Sequence, residues 1–277
     1  MTDATSDTVF GERVRQRARE IIARYPQGRE RSALLPLLHL VQSEQGYVSP
    51  EGIAFCAELL GLTRAQVAGV ASFYTMYKRR PAGDWLISVC TNTMCGVLGG
   101  DKTFETLKEH LGVGHEETTP DGKFTLEHAE CLAACDYAPV MTVNYEFFDR
   151  VQPERAVEIV EQLRAGQRPQ PDRGARLCTL REISLQLAGF PDEREGAVAE
   201  GGPGEPTLAG IKLAQRYGIS VPGFDPDTPI SQRAPEGPGH TPPETAPRPA
   251  ADRKPAGEPP PAAGTKTPPA DKGEDDR

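Results

Sequence analysis

The sequence lacks an apolar run of about 18 residues, so no segment is predicted to cross a membrane as a helix. Its N-terminal stretch, MTDATSDTVFGERVRQRARE, lacks the apolar centre of a secretory signal, and we therefore expect a cytoplasmic protein. Positively charged residues are in the minority: the 277 residues include 31 Lys and Arg but 40 Asp and Glu, which gives a net charge of −9. Nucleic acid and anionic membrane surfaces are thus poor candidates for the main partner. The sequence also has no G-x-G-x-x-G fingerprint and no P-loop.

Cysteine is scarce as well, with six residues in the chain, and four of them form two pairs. The segment CTNTMC places four residues between Cys90 and Cys95, and CLAAC places three between Cys131 and Cys135. A gap of 35 residues separates the two pairs. Stable disulfides are rare in the reducing cytoplasm, so these pairs indicate metal ligands or redox groups.

Composition divides the chain into four segments. The first carries helix signals throughout, such as the amphipathic ERVRQRAREIIARY and a capping box formed by Thr63 and Gln66. At the other end Pro, Gly, Ala and charge dominate, and 17 of the 27 prolines follow Glu200, so little apolar surface is available to offset the cost of ordering. We predict a helical bundle over 1–80, a sheet with helices over 81–168, an extension with short docking helices over 169–224, and a disordered tail over 225–277.

The second segment alternates strand and helix patterns. WLISVC is a predicted strand that ends at Cys90, DKTFETLKEHLG a helix, KFTLEH a second strand, and VMTVNYEFF a strand pair that turns near Asn144. Pro153 begins a further helix in PERAVEIVEQLRAG. The order β-α-β-β-α predicts an α+β fold with a small sheet. Because the gap between the cysteine pairs is one helix and one strand long, we expect both pairs on loops at the same end of that sheet.

Three kinds of site compete for the paired cysteines. A thioredoxin-type redox site needs two residues between its thiols, whereas CTNTMC has four. Structural zinc accepts spacings of two to four, although repeated C-x2-C is more usual. A [2Fe–2S] cluster fits best, because it takes four thiolates, two on each iron, and a longer loop can pass around a bridging sulfide. This cluster is an anion, and Gly96, Gly99 and Gly100 would let backbone N–H groups approach its sulfurs.

Three stretches together resemble a known family: GYVSPEGIAFCAELLGLTRAQVAGVASFYTMY, CTNTMC and ECLAACDYAPVMTVN. They are similar to the thioredoxin-like [2Fe–2S] subunit, the E-type subunit, of the proton-pumping NADH–quinone oxidoreductase, respiratory complex I. The resemblance covers roughly residues 10–166. It implies a helical bundle followed by a thioredoxin-like ferredoxin domain, and it implies one [2Fe–2S] cluster with the ligands Cys90, Cys95, Cys131 and Cys135.

The resemblance also implies a role and partners. The chain would be an electron-transfer subunit without a complete active site of its own, next to the FMN- and NADH-binding subunit and the cluster-rich subunit of the same complex. It would lie at the inner face of the cell membrane only through that complex. Small ferredoxin subunits of NAD-linked hydrogenases and formate dehydrogenases share this module and remain alternatives, with a zinc-stabilised scaffold protein as a more remote one.

Other candidate residues have plainer interpretations. Cys56 and His39 lie in apolar helices and are interpreted as core residues, His39 with its hydrogen bonds satisfied, and Cys178 is interpreted as structural. His128 could replace a thiolate, but four cysteines suffice. The segment AELLGLTRAQVAGVASFY resembles a DNA-binding helix-turn-helix, yet its second helix offers only two base readers, Arg64 and Gln66.

Overall fold

A computed structural model describes residues 10–198 and 203–219. The predicted disordered tail, 225–277, lies outside the described residues, as do the first nine residues of the predicted bundle segment. The described residues belong to one compact unit.

From residue 10 onward the first segment folds into four α-helices and a short 3₁₀-helix, close to the predicted pattern. Apolar faces of these helices meet in a core that includes Phe10, Leu37, Leu38 and Phe55, all fully buried. The elements are α1 (Glu12–Ala23), a 3₁₀-helix (Glu30–Ala33), α2 (Leu34–Gln45), α3 (Pro50–Leu60) and α4 (Arg64–Phe73).

The helix ends follow the sequence signals. Helix α2 stops at Gly46, whose φ of 82° is the left-handed conformation that glycine adopts without strain. Ser49 caps α3 by accepting a hydrogen bond from the Gly52 N–H, and the predicted capping box of Thr63 and Gln66 begins α4. No single helix in the described part is long and apolar enough to span a membrane; α3 and α4 pass that test only together, bent by 118°.

The second segment forms a five-stranded mixed sheet in the order β2-β3-β1-β4-β5. Strand β1 pairs in parallel with β3, the arrangement that a β-α-β crossover produces, and antiparallel with β4. The elements are β1 (Trp85–Cys90), α5 (Thr93–Val97), α6 (Gly100–Leu111), β2 (Glu117–Thr118), β3 (Phe124–Ala129), a 3₁₀-helix (Cys135–Tyr137), β4 (Met141–Val143), β5 (Glu146–Phe148) and α7 (Pro153–Arg164).

One face of the sheet packs against two helices. Alternate residues of β1 and β3, among them Ile87 and Leu126, point into the apolar core that includes α6 and α7. The hairpin turns at Asn144 and Tyr145, both with positive φ, so the turn predicted near Asn144 is confirmed. The two-residue edge strand β2 was not predicted, because ET carries no alternation that could mark it.

Among residues 169–198 and 203–219 of the extension there are two helices, α8 (Leu180–Leu187) and α9 (Glu205–Tyr217). Helix α8 packs on α2 of the bundle. Helix α9 contacts the 3₁₀-helix after β3, where the Thr207 hydroxyl donates to Asp136 at 2.5 Å. Ile211 and Leu213 of α9 are exposed.

Candidate metal centre

The parallel pairing of β1 and β3 brings the two cysteine pairs to one end of the sheet. In the strand register Cys90, the last residue of β1, lies opposite Ala129, the last residue of β3. Cys95 follows on α5, Cys131 lies in the loop that leaves β3, and Cys135 begins the 3₁₀-helix at the end of that loop. The two pairs lie at the same end of the sheet, as expected, although Cys90 lies in β1 and Cys95 in α5 rather than on loops.

The first pair is buried. Cys90 and Cys95 are each 2% exposed, and the Cys90 thiol donates to the Glu130 carbonyl at 3.1 Å. Burial raises the pKa of the Cys95 thiol to about 11, and the adjacent Cys90 thiol contributes to that rise. The Cys95 thiol therefore stays protonated at neutral pH until a metal displaces its proton.

The second pair is exposed and held by its own loop. A hydrogen bond with the Cys131 side chain, followed by charge repulsion from it, raises the pKa of the Cys135 thiol. Ala133 has a φ of 56°, and its N–H donates to the Cys131 sulfur at 3.3 Å. The left-handed residue turns a backbone dipole toward the sulfur, which is the kind of stabilisation that an anionic cluster needs.

The two pairs are close enough to interact. Cys90 acts electrostatically on both Cys95 and Cys135, and the first pair packs with Ala134 and Val140 of the second loop in one small apolar cluster. All four thiols are free. The fold thus presents four soft sulfur donors as two adjacent pairs.

One glycine is required for this arrangement. A Cβ at Gly100 would lie 2.4 Å from the Cys90 carbonyl oxygen and 2.9 Å from that of Cys95, so no side chain fits there. Gly99 adopts a φ of 110°, which turns the chain into α6. Of the three glycines singled out in the sequence, Gly100 has the strictest steric reason for its identity.

The donor set fits a two-iron cluster. Within residues 10–198 and 203–219 no three His, Cys, Asp or Glu side chains converge as ligands of one metal ion. A [2Fe–2S] cluster takes two thiolates at each iron, and two thiol pairs supply that division. The assignment of Cys90, Cys95, Cys131 and Cys135 as ligands stays a prediction that this geometry supports.

The sequence interpretation missed an apolar rim beside the first pair. Helix α5 and the residue after it leave Met94, Val97 and Leu98 exposed, with Val97 at 80%. The signal was present, since these residues flank a cysteine in a short helix that has too few residues to bury them all. An exposed apolar patch of this kind marks a contact surface more often than isolated exposed residues do.

The remaining candidates lie away from the cysteines or have other partners. Cys56 and His39 are buried in the bundle. The prediction that the hydrogen bonds of His39 are satisfied is wrong for its Nδ1 atom, which has no hydrogen-bond partner among the described residues. His128 lies against the His115 ring at 4.0 Å between centroids. Gln66, proposed as a base reader, is engaged in the capping box. Cys178 is buried beside Arg194.

Comparison with known proteins gives one family match and several relatives. The family model for thioredoxin-like [2Fe–2S] ferredoxins matches residues 18–164. The E-type subunit of the NADH-quinone oxidoreductase of Mycobacterium tuberculosis is 59% identical over 205 residues, 74% of this chain and 80% of that protein. NADH-quinone oxidoreductase subunit 2 of Thermus thermophilus is 41% identical over 150 residues, 54% of this chain and 83% of that protein. A crystal structure of air-oxidised NAD⁺-reducing [NiFe]-hydrogenase is 20% identical with a TM-score of 0.44, over 48% of this chain and 23% of that one.

Proposed function

Because the chain belongs to the thioredoxin-like [2Fe–2S] ferredoxin family, and within it to the E-type subunits of NADH-quinone oxidoreductases, we propose that it is an electron-transfer subunit of such a complex. The observation that carries the proposal is the meeting of two thiol pairs at the ends of two parallel neighbouring strands. One [2Fe–2S] cluster would be held there by four residues: Cys90, Cys95, Cys131 and Cys135.

When bound, such a cluster accepts and returns one electron. The residues of this chain would hold the cluster and stabilise its charge. Cys90 and Cys95 would hold the inner side of the cluster away from water, since both are buried. Cys131 and Cys135 would hold the outer side, and the Ala133 N–H would offset the negative charge on the Cys131 sulfur.

The exposed surface beside the first, buried cysteine pair also supports a partner. Electron transfer needs close approach of donor and acceptor, and the apolar rim of Met94, Val97 and Leu98 lies next to the first cysteine pair. We assign this rim to the FMN- and NADH-binding subunit, with the cluster-rich subunit as a further neighbour. Membrane association at the inner face of the cell membrane would be indirect, through the assembled complex.

Metal and sulfide analysis tests the cluster. After anaerobic purification the wild-type chain should contain iron and acid-labile sulfide in equal amounts, about two of each per chain. Cys95→Ala and Cys131→Ala should each lose most of both, because alanine has no donor atom for iron. Cys178→Ala is the matched control, because it removes a buried thiol outside the two pairs and should keep full content. Stoichiometric zinc without sulfide would contradict the proposal and support the scaffold alternative.

A further inference from the structure

A largely buried ion pair lies on the polar face of the sheet just before the cysteines. The Lys78 ammonium contacts the Glu127 carboxylate at 2.6 Å, and the two side chains are only 13% and 16% exposed. The Ser88 hydroxyl donates to the other Glu127 oxygen at 2.7 Å. Taking both charges out of water is costly, and exposed surface pairs avoid that cost, so the burial of this pair calls for an explanation.

The pair is placed close to both cysteine loops. Ser88 lies two residues before Cys90 on β1 and faces Glu127 in the strand register, and Glu127 lies four residues before Cys131. Lys78, Glu127 and Cys131 line the same cavity of about 380 Å³. Both charges therefore face the space beside the second cysteine loop.

The backbone of Lys78 is fixed in position by the bundle. The Lys78 N–H donates to the Gln42 side-chain oxygen at 2.7 Å, and the Lys78 carbonyl accepts from the Val48 N–H at 2.7 Å. Gln42 is fully buried, and its amide group donates to the Ser184 hydroxyl and to the Met76 carbonyl, each at 3.1 Å. The bundle and the extension thus hold the backbone from which the Lys78 side chain reaches the sheet.

We propose that Lys78 and Glu127 form an electrostatic tuning pair, two charges that act on the reduction potential of the cluster in opposite directions and nearly cancel while both are present; this rests on the proposed cluster site. A cluster that gains an electron becomes more negative, so a nearby cation favours the reduced form and a nearby anion opposes it. Because both side chains are largely shielded from water, solvent and salt screen these charges less than they screen surface charges. Ser88 and Gln42 act as positioning residues for the pair.

Opposite shifts of the midpoint potential test the proposal. The full chain, purified anaerobically with its cluster, is titrated against redox mediators and followed by electron paramagnetic resonance. Lys78→Met leaves the Glu127 charge uncompensated and should shift the midpoint to more negative values. Glu127→Gln leaves the Lys78 charge and should shift it to more positive values. The double variant should return close to wild type.

A surface pair on the same domain provides the control. Lys108 and Glu105 are in contact on α6 with side chains 47% and 56% exposed, so water screens them. Lys108→Met and Glu105→Gln should leave the midpoint potential unchanged. Shifts of Lys78→Met and Glu127→Gln in the same direction, or no larger than those of the control variants, would overturn the tuning role and indicate a structural pair.

Cluster content separates this inference from the function on which it rests. If the wild-type chain contains no iron and sulfide, the proposed function fails; if it contains both and the potentials do not move in opposite directions, only the tuning pair fails. Glu127→Gln keeps the shape and one hydrogen-bonding oxygen of the native side chain. If Lys78→Met does not fold, Glu127→Gln therefore tests the proposal by itself. Lys78→Arg keeps the positive charge and should stay near the wild-type potential.

Discussion

At the scale of single residues, the cysteine site depends on a glycine that has no Cβ as well as on the cysteine sulfurs. Gly100 begins α6 against the backbone of Cys90 and Cys95, where an added Cβ would overlap a carbonyl oxygen. Relief would require movement of backbone that also carries two proposed ligands. A single methyl group at this position should therefore disturb the fold and the site together.

We expect Gly100→Ala to lower the free energy of unfolding by about 1–3 kcal/mol, the usual cost of overpacking, and to reduce iron content. Gly69→Ala is the matched control, because a Cβ at Gly69 in α4 meets nothing within 4 Å. That change should be neutral or stabilising by up to about 1 kcal/mol, since alanine favours helix. Urea unfolding of the metal-free protein and metal analysis measure both effects. Equal stability of the two variants would show that the loop gives way without cost.

His39 makes a second residue-scale prediction. Burial lowers the pKa of His39 from 6.5 to about 4, and the ring packs against Tyr77 with 4.8 Å between centroids. Between these two values the unfolded chain binds a proton that the folded chain does not. The stabilising effect of a neutral His39 is thus complete above about pH 6.5 and is lost as the pH falls from there toward 4.

The measurement is the free energy of unfolding between pH 7 and pH 4. His39→Leu should flatten the pH dependence, because it removes the titrating group from the bundle. If His39→Leu retains the full slope, other groups cause the acid sensitivity.

At the scale of elements, the extension links the two folded parts. From α8 the Ser184 hydroxyl accepts from the buried Gln42 amide of the bundle, and the Leu180 N–H donates to the Asp84 carbonyl just before β1. The Asn144 amide of the hairpin turn donates to the Cys178 carbonyl at 2.7 Å. The segment after α7, to which the resemblance gave no role, thereby contacts both the bundle and the sheet.

Ser184→Ala measures the strength of that link. The substitution removes an acceptor from a fully buried amide, so we expect a loss of about 1–3 kcal/mol in the free energy of unfolding. Ser72→Ala removes an exposed hydroxyl that donates to the Gly69 carbonyl and should change stability much less. Chemical denaturation of the metal-free chain gives both values, and a loss no larger than that of Ser72→Ala would mean that α8 is held mainly by its apolar contacts.

The elements also show what the sequence could predict. Local patterns predicted the helices of the bundle, the capping box at Thr63, the hairpin near Asn144 and the common end of the strands after which both cysteine pairs lie. The contact between Lys78 and Glu127 spans 49 residues and that between Gln42 and Ser184 spans 142. Such contacts leave no periodic trace, since a lone polar residue in an apolar stretch does not reveal its distant partner.

At the scale of the whole molecule, the chain combines an acidic composition with a local apolar rim. We expect Val97→Glu to weaken association with the FMN- and NADH-binding subunit, because it would place a charge in the centre of the proposed contact. Val198→Glu is the matched control, with 77% exposure against 80% at Val97 and a position in the extension. Copurification of tagged variants with the partner measures the effect. Equal recovery with both variants would place the contact elsewhere.

The unequal burial of the two cysteine pairs determines which thiols are reached first by chelators and oxidants. Two sulfurs are sealed within the fold and two face the solvent, so a chelator or an oxidant reaches the site from one direction only. Damage would begin at the outer thiols while the inner ones stay intact.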